Sequence, residues 1–80
     1  MALDAALKLF LGENGLAVLE SLMQGAATVE EIHYMTGLPL PCISTRVPVL
    51  KDLGLVDESS RGNVLSPAGW AILGVPAALV

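Results

Sequence analysis

Thr28–Val56, TVEEIHYMTGLPLPCISTRVPVLKDLGLV, is the stretch whose reading decides the fold. The Thr28 hydroxyl is placed to accept the backbone N–H three residues on, and Glu31 stands where its carboxylate can return the bond. Thr28-Val29-Glu30-Glu31 is therefore a capping box that starts a helix. Gly37 stops that helix, since glycine alone enters the left-handed region without steric cost. A second helix follows, with Pro41 in its first turn, where a missing N–H costs nothing. Ile43, Val47, Leu50 and Leu53 fall at i, i+4, i+7 and i+10, one apolar stripe expected to face a core, and Leu38 in the turn is expected to point the same way. Two short helices joined by a glycine turn make a helix-turn-helix pattern.

Working outward, residues 55–66 read as a β-hairpin. Leu55-Val56 lead out, Asp57–Asn63 make a polar loop, and Val64-Leu65 return. Gly62-Asn63 are expected to supply the permissive dihedrals at the hairpin end. Ser66-Pro67 is a helix start, with serine as N-cap and proline at the first helical position. The helix it opens carries Trp70, Ile72 and Leu73 and ends at Gly74. Upstream, Ala2–Leu11 reads as a helix with a Leu3, Leu7, Phe10 stripe, flanked by Ala6 and Leu11. Asp4 and Lys8 form a favourable i, i+4 pair on its outside. Gly12 ends this helix and Asn14 is a candidate cap for the next, which turns Leu19, Leu22 and Met23 inward and closes at Gly25.

The run T-V-E-E-I-x-x-x-T-G-L, followed by I-S-T-R-V-x-x-L-x-x-L-G-L-V, resembles prokaryotic and phage winged helix-turn-helix domains. It is similar to the small transcription regulators of the antibiotic-resistance-regulator type over about residues 16–73. The implied fold class is mainly α with a small β-hairpin, one domain over residues 1–80. Its parts are N-terminal helices (1–25), a helix-turn-helix (28–54), a wing (55–66), and a C-terminal helix and tail (67–80). The resemblance also implies double-stranded DNA as partner. Candidate contacts are Cys42, Ser44, Thr45, Arg46 and Lys51 on or beside the second helix of the motif, and Arg61 at the wing tip. It further implies a homodimer, with Leu3, Leu7, Phe10, Trp70 and Leu79 as candidate interface residues. In the resembled domains a small residue usually stands where this chain has His33, so a ring there puts the standard helix crossing in doubt.

Charge pulls the other way. Eight acidic residues against four basic ones give −4, whereas a DNA-binding face is usually basic. Residues 1–40 hold Lys8 against Asp4, Glu13, Glu20, Glu30 and Glu31. Residues 41–80 balance Arg46, Lys51 and Arg61 against Asp52, Asp57 and Glu58, so three of the four cations lie in the half that would meet DNA. Asp57 and Glu58 at the wing base oppose phosphate. Leu40, Pro41 and Pro48 make the outer face of the second helix apolar, and Pro48 is expected to kink or break it near Val47. A protein-recognition module, such as a phage-encoded inhibitor or adaptor, is the competing reading.

Composition narrows the rest. With 54% hydrophobic residues and a mean hydropathy of +0.69 in 80 residues, a small domain cannot bury all its apolar surface, so an exposed patch and a partner are expected. No apolar run reaches the roughly 20 residues of a membrane span, and no secretion signal is read in MALDAALKLFL. A single cysteine, Cys42, excludes an internal disulfide framework and fits a reducing cytoplasm. Its place near a helix start raises redox sensing as a lesser alternative to a small packed thiol. His33 has no second metal ligand or nucleophile beside it, and Tyr34 is expected at the surface edge. Metal-ligand spacing, a phosphate-cradling glycine loop and a Ser/His/Asp arrangement are all missing, so neither an enzyme nor a cofactor is expected.

Overall fold

The capping box at Thr28 forms as the spacing requires. The Glu31 N–H donates to Thr28 Oγ1 at 3.1 Å, and Glu31 Oε1 accepts from the N–H groups of Thr28 and Ala27 at 3.0 and 2.8 Å. This box opens α2 (Val29–Thr36), which Gly37 closes at φ 74°. The structure, a computed structural model, describes residues 2–75, with side chains placed from Leu7 onward except that of Lys8. Leu3, Ala6, the Asp4–Lys8 pair and Leu79 therefore lie outside the described side chains. The remaining elements are α1 (Ala2–Met23), α3 (Leu40–Asp52), β1 (Val56–Ser59), β2 (Gly62–Leu65) and α4 (Pro67–Ile72). The architecture is a winged helix-turn-helix: three helices, an antiparallel hairpin and a closing helix.

α1 is two helical segments meeting at Gly12, whose φ of 70° and ψ of −178° break the axis where the glycine stands. The core is built from Leu11, Val18, Leu19 and Leu22 of α1, Ile32 of α2, Ile43, Val47 and Leu50 of α3, and Leu55, Val56, Leu65 and Ile72. Leu7, Leu38 and Trp70 pack against its edge. Ile32 and Ile43 have no exposed surface, so truncating either to alanine would cost about 2–5 kcal/mol, much of what so small a domain has.

Four placements correct the expectations from sequence. Met23 is 37% exposed and Val18 is fully buried, because the inward stripe runs Leu11, Val18, Leu22 and leaves Met23 at its margin. Phe10 is 67% exposed, since Leu11 takes the core position. Leu53 is 40% exposed: it sits after the end of α3, and Gly54 at φ 77° turns the chain so that Leu55 fills the inward place. Asn14 is not seen capping the second segment of α1; its amide donates to Cys42 Sγ at 3.8 Å.

α3 does not break at Pro48. The helix continues to Asp52, with Val47 and Leu50 buried on either side of the proline. Pro48 and Ser44 are both exposed, so water can serve the Ser44 carbonyl that the proline leaves without its helical donor. Burial of the two flanking aliphatics holds the helix through a local defect.

The hairpin is tighter than the sequence suggests. Val56 pairs with Leu65, Asp57 with Val64, Glu58 with Asn63 and Ser59 with Gly62, leaving only Ser60-Arg61 as the turn. Among the described residues no non-glycine residue has positive φ, so in the hairpin Gly62 (φ 127°) supplies the unusual dihedral, and Asn63 belongs to the strand. Ser66 caps α4: its hydroxyl accepts from the Gly69 N–H at 3.1 Å and donates to the Gly54 carbonyl at 2.5 Å, which ties the wing's exit to the end of α3.

Candidate nucleic-acid interface

A helix with 100° per residue and a core face at Ile43, Val47 and Leu50 has its opposite midline at Pro41, Thr45, Pro48 and Asp52. All four are exposed, as are Ser44 and, partly, Leu40 and Val49. The centre of the outer face thus offers two prolines, one hydroxyl and one carboxylate. Thr45 Oγ1 already donates to the Pro41 carbonyl at 2.8 Å, which leaves its lone pairs for a partner. Arg46 and Lys51 lie on opposite flanks, about 140° apart around the axis, and both are half-buried.

The cations differ in what they face. Lys51 Nζ donates to Glu58 Oε1 of β1 at 2.8 Å, and this ion pair holds the Glu58 carboxyl below its ordinary range. Glu58 thus neutralises a cation within the proposed interface. Arg46 has no carboxylate within ion-pair distance among the described residues. Arg61 in the hairpin turn is exposed and close enough to Glu31 to help hold its carboxylate charged. The larger causes of that shift are the Thr28 and Ala27 N–H bonds. Cys42, half-buried, turns its sulfur toward Asn14 of α1, away from the outer midline.

His33 is exposed and does not wedge between α2 and α3. Its Nδ1–H reaches over the turn to the Leu38 carbonyl at 2.6 Å, so the ring bridges the loop and the crowding anticipated at the crossing does not arise. Tyr34 is 90% exposed, the surface position its place in α2 implied. Of the candidate dimer residues, Leu7 and Trp70 pack in part against this chain's own core, and Phe10 stands out from it beside Leu9, which is 84% exposed.

The contact that sequence reading missed is at Asn63. Its backbone N–H and side-chain amide both donate to the Ala27 carbonyl, at 2.8 and 2.9 Å, pinning β2 to the loop before α2. A side chain at Gly62 would press on the same carbonyl, 2.8 Å from where its Cβ would stand. The pin lies next to the turn, so Arg61 projects only a short way past it. No helix among the described residues is long and apolar enough to cross a membrane, and no three metal-ligating side chains among them come together. Comparison with family models, curated proteins and solved structures found no match.

Proposed function

We propose that this chain is a winged helix-turn-helix module that binds double-stranded DNA as a homodimer. One observation carries the reading. α3 runs unbroken from Leu40 to Asp52 with Ile43, Val47 and Leu50 on the core side, while Ser44 and Thr45 are presented outward with Arg46 on the flank. A continuous helix with outward hydroxyls and a flanking guanidinium is suited to the major groove, the hydroxyls to phosphates and the arginine to guanine. Because Lys51 is paired with Glu58, the cations on and beside the outer face of α3 that no carboxylate pairs among the described residues are Arg46 and Arg61. Binding therefore needs a second copy, and the exposed Leu9 and Phe10 offer apolar surface for it.

Fluorescence anisotropy on random duplex DNA across a salt series tests this. Four cations in a dimer give a log–log salt slope of about −3.6, and Arg46→Ala in both copies lowers it by about 1.8. No association at low salt removes the proposal. A second reading, a winged helix that meets only protein, is favoured by the Pro41, Pro48, Asp52 midline and the −4 net charge. It is the reading that survives a failed DNA titration.

A further inference from the structure

Two shallow grooves on the side of α2 meet at Gly25-Ala26, which line both. The larger, about 410 Å³, is bounded by Glu30, Glu31, Tyr34 and Met35. The smaller, about 190 Å³, continues toward Arg61, Val64 and Trp70. Tyr34 and Met35 are 90% and 44% exposed over a floor in which Ala26 is buried. Gly25 at φ 111° has open space where a Cβ would stand, so nothing obstructs the passage between the two grooves.

The rim decides the occupant. No cation of this chain lines the larger groove. Glu31 is engaged with its own capping box, whereas Glu30 is exposed one helical turn before Tyr34, and no side-chain hydrogen bond or ion pair holds it. An open aromatic face with a carboxylate at i−4 is complementary to a lysine or arginine, which can stack on the ring and pair with the acid. The apolar floor at Ala26 and Met35 is complementary to an aliphatic neighbour of that cation. We infer that this face docks a basic segment of a partner protein. Its cation sits on Tyr34 and Glu30, its aliphatic side chain rests on Met35 and Ala26, and its backbone passes over Gly25 toward Trp70. The Tyr34–Glu30 end of this face is separate from the outer side of α3, while its far end reaches Arg61 of the wing, so the cation can dock without covering Ser44, Thr45 or Arg46.

The test is anisotropy of short labelled peptides on the intact chain, one with a Lys-Leu-Lys core and one with a Glu-Leu-Glu core. The lysine peptide binds and the glutamate peptide does not. Tyr34→Ala and Glu30→Gln, both at exposed positions and checked for fold by circular dichroism, each weaken binding by about tenfold, while Arg46→Ala leaves it unchanged. Equal binding of the two peptides, no binding of either, or indifference to Tyr34→Ala overturns the inference. So does loss of self-association in Tyr34→Ala by sedimentation, which would make the occupant a second copy of this chain.

Discussion

Asn63 and Ala27, 36 positions apart, are joined twice: the backbone N–H and the side-chain amide of Asn63 converge on one carbonyl oxygen. Ala27 also donates its own N–H to Glu31. One residue's backbone thus links the wing to the capping box of the helix-turn-helix. Replacing Asn63 by leucine leaves the backbone bond and removes the side-chain one. It should destabilise by about 1 kcal/mol in urea denaturation, with the hairpin's amide protons losing protection before those of α1.

The capping box makes stability depend on acid pH. Bonds from the Thr28 and Ala27 N–H groups, with a smaller pull from Arg61, hold Glu31 below its ordinary 4.5. The pair with Lys51 does the same for Glu58. A depressed carboxylate contributes stability that is fully present above its unfolded value and is lost as pH falls through the folded one. Thermal melts should therefore be flat above about pH 5 and fall below 4.5, and Glu31→Gln should shallow that fall. Thr28→Ala removes the other half of the box and should cost about 1 kcal/mol at neutral pH.

Gly69 packs so tightly on the Leu55 backbone that an added Cβ would overlap the Leu55 carbonyl oxygen. Its φ is not in the left-handed region, so space and not backbone strain requires glycine here. Gly69→Ala should destabilise by about 1–3 kcal/mol, read as a lowered melting temperature, because α4 must move off the Leu55 backbone it covers.

Pro48→Ala should act in the opposite direction. It restores a helical N–H to the Ser44 carbonyl at an exposed site, and stability should rise by up to about 3 kcal/mol. A stabilised variant with weakened partner binding would mean that the proline shapes the outer face of α3. One with intact binding would mean that the face works through Ser44, Thr45 and Arg46 alone.

Much of this architecture is legible from local chemistry. The Thr28 box, the Gly37 and Gly74 stops, the Ser66-Pro67 start and the Ile43, Val47, Leu50 stripe are decided by neighbours within a few residues, and each stands in the structure as read. What sequence reading missed depends on distant partners. Nothing near Asn63 announces that its amide meets Ala27, and nothing near Lys51 says that Glu58 will take its charge across the gap between α3 and β1. Val18 was recoverable in principle. Val18 and Leu22 stand at i, i+4 in the segment after Gly12, so the helical repeat within that segment alone already pairs them. Of the candidate interface, the exposed hydroxyls were readable from periodicity. The neutralised lysine and the inward-turned Cys42 thiol were not.

The pin at Asn63 also makes the hairpin tip an attachment point. What the core needs from β2 is secured just past the turn, at Asn63 and Leu65, and within the turn the Arg61 N–H donates to Ser59 Oγ. Foreign sequence spliced between Ser60 and Arg61 would project outward without tugging on the helices. A longer, lysine-bearing tip grafted there would turn a stubby wing into a reaching one on an unchanged scaffold.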